Sequence, residues 1–337
     1  MGAIQDSSVG TVPEVSYGTA LTASRFYEFV DESFGFEKNI KQGQGIRVSS
    51  KVARSPRRVV ATTSASGDIT IEMVSKGLGT LLHAAFGASA VTSVTTGTYQ
   101  MNFTLGSTAT PPSLTLQKSV VRSDGTIDPY TFSGVVVSNF EIDCPNGDIV
   151  ALKASTVAKD VTTATTYSTP SYVSSPSLFH FAQGAITIGG TVVAPTTTAL
   201  ASGGTSVANV RDFNIKVDNK LATDRYNIGG AGKMVSPTYG LREVTGSMTV
   251  EYADQTLVNA FLSDTELALS LTFTSTESLS TGYAQLQIVL PAIKLNGELP
   301  KANGTDLVTA AVDFDVLDNL TATQPIWLVL RTSDAAL

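Results

Sequence analysis

Apolar and polar residues alternate in short runs along most of this chain, and a period of two is what a strand with one wet face produces. Residues 68–73 (DITIEM), 113–116 (SLTL), 213–217 (FNIKV) and 247–252 (SMTVEY) are clear instances. Between such runs stand Asp124-Gly125, Asn146-Gly147, Asn296-Gly297 and Asn303-Gly304, pairs that accept the positive φ of tight hairpins. Only residues 76–86 and 253–261 carry helical spacing. In the second, Leu257 and Phe261 share one face and Asp254 stands where an N-cap belongs. The pattern predicts a mainly β, largely antiparallel protein with two short helices.

Both helices follow a strand, and the coincidence extends into an internal repeat. Residues 67–73 align with 246–252, and 82–86 with 257–261. Residues 135–142 resemble 288–295, each followed by an Asn-Gly hairpin, and 148–152 and 306–310 open the next strand of each copy. Ahead of each unit stands an apolar alternation, Phe34 and Phe36 in the first and Phe213, Ile215 and Val217 in the second. Each alternation runs into a long Gly- and basic-containing excursion. Residues 40–63 hold Arg47, Lys51, Arg54, Arg57 and Arg58; residues 220–243 hold Lys220, Arg225, Lys233 and Arg242. Loops this long inside compact domains are functional or disordered. The Thr-, Ser- and Gly-rich residues 161–175 are the expected connection between units at 1–173 and 174–337, and residues 194–204 an expected surface loop. The expected core or interface anchors are Phe34, Phe36, Phe86, Phe213, Leu257, Phe261 and Trp327.

Composition narrows the function classes. The chain has 337 residues, enough for a sizeable core, with 15% charged residues and a formal charge of −7. A sequence-specific DNA reader would carry a basic face, so that class is disfavoured. One cysteine, Cys144, allows no internal disulfide, and no Cys/His metal spacing exists. Folding in a reducing cytoplasm is expected. Residues 1–10 lack the charged and apolar regions of a secretory signal, and no stretch approaches the roughly 18 apolar residues of a membrane helix, so no membrane insertion is expected.

Candidate chemistry is sparse. His83 and His180 are the only histidines and neither has a partner cluster, so no Ser-His-Asp arrangement can be built. Asp212, Asp218, Asp313, Asp315 and Asp318 lack the spacing of an EF-hand and read as strand ends and caps. Residues 228–232 (IGGAG) lack the strand-to-helix context of a phosphate cradle. Asn102, Asn303 and Asn319 match the glycosylation pattern by chance in a Thr-rich chain. Trp327 fits a core or interface anchor better than a sugar platform, which usually shows several exposed aromatics. A hydrolase is therefore the weakest reading, and no enzyme activity, cofactor or metal is expected.

The segment Glu14-Val15-Ser16-Tyr17-Gly18-Thr19-Ala20, followed by Arg25-Phe26-Tyr27-Glu28-Phe29 and Glu32-Ser33, resembles the opening of the large two-domain tail-tube proteins of siphophages. Residues 67–87, a strand leading into a Gly-containing helix that ends Ala85-Phe86-Gly87, resemble that family too. The likeness covers nearly the whole chain and rests on the ordered combination of segments. It implies two tandem tail-tube β-sandwich or barrel domains, each with a short flanking helix and a long loop. Inner strands would join those of neighbours into a barrel around a channel, with three chains supplying the six tube folds of a ring. It also implies a virion tail component, assembled in the bacterial host cytoplasm and conducting DNA at ejection. The chain's partners would be itself, a tape measure protein and the terminator and distal tail proteins. Physics favours such closure, because it pairs strand edges that would otherwise aggregate. The long loops would order against the adjacent ring, their basic residues meeting its acidic groups. The alternative is a β-sandwich surface-binding module, an adhesin or tail decoration, which needs no matched pair of units. An outer-membrane barrel would need a signal peptide and aromatic girdles.

Overall fold

The computed structural model describes residues 6–207, 209–297, 299 and 308–337. The protein is mainly β, with large antiparallel sheets and two short helices. Its first half runs β1 (Ser8–Pro13), β2 (Arg25–Tyr27), β3 (Phe29–Glu32), β4 (Gly35–Gln42), β5 (Arg58–Glu72), α1 (Gly79–Phe86), β6 (Gly87–Thr95), β7 (Thr98–Leu105), β8 (Leu114–Val121), β9 (Ile127–Cys144), β10 (Ala151–Ala158) and β11 (Asp160–Thr162). The second half runs β12 (Gly184–Ile188), β13 (Val192–Val193), β14 (Ser202–Gly203), β15 (Ser206–Val207), β16 (Val210–Asp218), β17 (Glu243–Glu251), α2 (Thr256–Leu262), β18 (Leu267–Ser278), β19 (Tyr283–Gly297), β20 (Thr309–Val316) and β21 (Trp327–Thr332).

Antiparallel pairing links β4, β5, β10, β9, β16, β17, β20 and β19 in that order into one sheet crossing both halves. The halves meet at β9 and β16, where Cys144 faces Phe213 and Asn139 faces Asp218. A second layer joins β2, β1, β8, the start of β9 and β11 in the first half. Its counterpart joins β15, β12, β18, the start of β19 and β21, and continues into β7 and β6.

The repeat is written in the register. Gly67 faces Thr156, which faces Val137; Gly246 faces Phe314, which faces Leu295. Leu114 faces Val135 and the register then slips to Leu116 and Phe132, just as Leu267 faces Ile293 and the register slips to Leu269 and Leu290. Both repeat glycines sit where a side chain cannot. A Cβ on Gly67 would lie 2.4 Å from Phe34 Cα, and one on Gly246 would lie 2.2 Å from Phe314 Cζ.

These rows correct two expectations. The counterpart of Val137 is Leu295 and not Leu290, because near-continuous apolar runs carry no period that could fix their alignment. Asn296 and Gly297 are not a turn; they end β19 opposite Asp313 and Val312. Asn303-Gly304 and the opening of the strand at 306–307 lie outside the described residues. Asp124-Gly125 and Asn146-Gly147 do turn, their glycines at φ 87° and 76°.

The two helices are shorter than their patterns. Helix α1 begins at Gly79, since Gly77 adopts φ 89° and breaks the run. All its residues but His83 are buried, and Phe86 stacks 4.7 Å from Phe140 and 6.3 Å from Phe103 between ring centroids. Helix α2 begins at Thr256, and Gln255 holds the cap position. Asp254 still satisfies an end donor by accepting the Thr256 N–H at 2.8 Å. Only Ala260 of α2 is buried, with Leu257 and Phe261 partly buried against the core. The β6–β7 hairpin explains the contrast: it packs against α1 and has no counterpart between α2 and β18.

Phe34 and Phe213 are buried in the main core, with Phe36 packed at its margin. Trp327 belongs to a smaller cluster with Ala201, Val289 and Val329. The expected surface loop at 194–204 is pinned to the body, with Gln100 Nε2 donating to Thr196 O at 2.9 Å and Arg331 Nη2 to Thr198 O at 2.8 Å. The connecting stretch is also seated. After β11 it accepts from Gln117 Nε2 at Thr166 O, and Ser168 N–H donates to Gln117 Oε1.

Candidate functional site

The singled-out chemical groups are engaged locally. His83 Nδ1 lies 2.9 Å from Ser89 Oγ, and burial lowers its pKa, which favours the neutral ring. His180 opens a short 3-10 turn and closes a capping box with Gln183. Residues 228–232 form a tight turn in which Gly232 lies against Ala61 O. Among the described residues no three His, Cys, Asp or Glu side chains gather to hold a metal, and no helix is long and apolar enough to cross a membrane. What the fold assembles instead is a polar face, two open strand edges and an exposed arm.

The face follows from alternation. Phe140, Ile142, Phe213, Ile215, Val217, Met248 and Phe314 point from the long sheet into the core. The intervening positions of the same strands carry Asp68, Glu72, Glu141, Asp143, Asp218, Glu243, Asp313 and Asp315, set against Lys153 and Lys216. Lys294 is drawn to Asp264 at the sheet margin. Asn214 spans the junction of the halves, donating to Glu141 and, at 3.3 Å, to Asp143. Lys220 bridges Asp218 at 2.9 Å and Glu243 at 2.8 Å. Net acidity is visible in the sequence; its concentration on one face needs the register.

Both ends of this sheet are open. Strand β4 pairs with β5 on one side only, and residues 294–297 of β19 pair with β20 on one side only. Their counterparts inside the chain, β16 and the end of β9, pair with each other. Unpaired edges of this kind are templates for another strand.

The arm is the first basic excursion. Residues expected as loop are strand as far as the Gln42–Arg58 pair, because Val59, Val60, Thr62 and Thr63 are β-branched. The tip is closed by Gly43 N–H donating to Arg57 O at 2.8 Å and Gln42 Nε2 to Arg54 O at 3.1 Å. Arg57 folds over Gly45, where a Cβ would lie 1.9 Å from its Nη1. Ile46, Val48 and Val52 are 100%, 91% and 82% exposed, and Arg47 and Lys51 stand beside them.

The second excursion behaves differently, although sequence reasoning treated the two alike. It lies across the first half: Tyr226 Oη donates to Thr63 O at 3.2 Å, Thr63 N–H to Gly232 O, and Lys233 pairs with Asp160. Asn219, fully buried, donates to Ala85 O at 3.2 Å and Val137 O at 3.1 Å. Arg225 Nη1 donates to Ser236 O, and the Arg242 guanidinium stacks 3.5 Å from the Tyr239 ring centroid.

Comparison with curated proteins gave no match. A family model described as Phage tail tube protein matches residues 4–316, taking in both strand series, both helices and the arm. A match over nearly the whole chain, on a mainly β fold with open sheet ends, makes this chain a member of the phage tail tube protein family and a structural component of the virion tail.

Proposed function

We propose that this chain is the tube subunit of a siphophage, polymerising as stacked rings into a hollow tube that conducts DNA during genome ejection. The observation that carries the reading is the pair of open edges, for which the junction inside the chain supplies a template. Asn139 faces Ser155, which faces Asp68; Asn296 faces Asp313, which faces Ser247, so Asn296 is the counterpart of Asn139. Glu37 is likewise the counterpart of Asp218, since Glu37 faces Ser64 and Asp218 faces Glu243. Repeating the Asn139–Asp218 pair between copies puts Asn296 of one chain opposite Glu37 of the next, and Gly297 opposite Phe36.

Such pairing joins copies head to tail, and closure into a ring leaves no edge. With units at 1–173 and 174–337, three chains give a homotrimer of pseudo-sixfold form. The acidic face lines the lumen, where carboxylates repel phosphate and keep DNA from sticking. DNA passes without sequence recognition. The tape measure protein fills the tube during assembly in the host cytoplasm, and terminator and distal tail proteins close its ends. No catalytic step or cofactor enters this role.

A disulfide tests the register. Directly opposed residues in an antiparallel pair bring their Cβ atoms to about 4.5–5.5 Å, close to disulfide reach. Glu37→Cys with Asn296→Cys, in a Cys144→Ala background, should give a covalent ladder ending at a closed trimer on oxidation, and neither single variant should. Rings visible by electron microscopy that yield no intermolecular disulfide would overturn the proposed edge.

A further inference from the structure

We infer that the tip of the β4–β5 arm docks in an apolar groove beside α2 of a second copy of this chain in the next ring, an inference that rests on the stacked-ring reading above. The groove, of about 360 Å3, is lined by Val250, Leu257, Phe261 and Leu295, with Glu251 and Asp254 at its rim. It exists because the second half lacks what fills the same place in the first. There, Phe103 and Phe140 pack on Phe86. In the second half the counterpart of Phe140 is Gly297, since Phe140 faces Ala154 as Gly297 faces Val312, and no hairpin stands in the place of β7.

Chemistry and direction both select the arm as occupant. Ile46, Val48 and Val52 are nearly bare, which a soluble chain hides only on binding. Arg47 and Lys51 between them match the acidic rim, whose Glu251 has a single, distant cation among the described residues, Arg211 at 3.9 Å. Strands β5, β9 and β17 run parallel within the long sheet, because each is separated from the next by one antiparallel strand. The arm leaves this sheet where β5 begins, and α2 leaves it where β17 ends. Arm and groove therefore sit at opposite ends of the same wall. Copies stacked in one orientation bring the tip of each to the groove of the next, a heterologous contact that propagates without closing.

A photo-crosslinking amino acid at Val48, with Ile46 and Val52 as second positions, tests the inference in tubes of the full chain. Crosslinks from the tip to peptides carrying residues 250–262 of another copy, seen in tubes and not in dispersed subunits, are the expected result. Tubes whose crosslinks map elsewhere, or that give none, overturn the docking while leaving the tube reading intact. A wild-type chain that forms no tubes or rings removes both. As a second measurement, Arg47→Glu with Lys51→Glu should raise the concentration needed for assembly about tenfold. Adding Glu251→Lys and Asp254→Lys to the same chain should bring it back. Failure of that rescue in a folded subunit also overturns the pairing.

Discussion

Helices α1 and α2 carry the same Leu-x-x-Ala-Phe pattern, at residues 82–86 and 257–261, yet one is almost wholly buried and the other is half bare. The difference lies in their neighbours. Phe103, Phe140 and the backbone end of α1 against Asn219 have no equivalents around α2. Burial of a repeated motif is thus decided by what each copy's surroundings supply, and the second half keeps open the space that the first half fills.

The largest test of that contrast is Phe86→Ala against Phe261→Ala. Removing the fully buried ring should cost about 3–5 kcal/mol in urea unfolding of the dispersed subunit, and removing the half-exposed one about 1 kcal/mol. Equal costs would break the comparison. Gly67→Ala and Gly246→Ala sharpen it. Both overpack by roughly 1–3 kcal/mol, with Gly67 the worse because its Cβ meets backbone at Phe34 where that of Gly246 meets a ring able to shift. Asn219→Ala, which strips partners from two carbonyls at the α1 end, should cost about 1–2 kcal/mol by thermal or urea unfolding.

The smallest effect concerns the tie between halves. Glu277 accepts from Ser75 and pairs with Lys76 at 2.9 Å. Burial acts to raise its carboxyl pKa, but the hydrogen bonds from Ser75 and Lys76 and the lysine charge outweigh it and hold the value below the usual glutamate range. A depressed folded pKa stabilises above the unfolded value and loses that contribution as pH falls through the folded one. Wild type should therefore lose its advantage over Glu277→Gln on acidification, as read by the melting temperatures of the two proteins from neutral pH downward. A gap between them that does not change with pH would remove this role.

Half-buried strands were legible because alternation records which face is wet: residues 68–73 and 247–252 fall within or overlap β5 and β17 as the pattern predicts. The β6–β7 hairpin was not, since residues 87–95 mix Ala, Ser, Val and Thr with intermediate burial on both faces and leave no alternation to read. Asn296-Gly297 misled because turn propensity is local, and pairing with β20 overrode it. The acidic surplus was legible as a number, while its face required knowing which side of each strand meets the core. The two basic excursions looked equivalent in composition. Only their environment separates one bound to Asp160 and Thr63 from one with Ile46, Val48 and Val52 in solvent.

Strands β9 and β19 each run unbroken through both layers, β9 pairing first with β8 and β11 and then with β10 and β16. Mechanically, this makes the two layers one continuous fabric. Shear applied along the inner surface is transmitted through covalent backbone into the outer ladder, so the layers cannot slide past one another as separately packed sheets would. Flexure in a filament of such subunits must then be taken up between molecules, leaving each building block stiff.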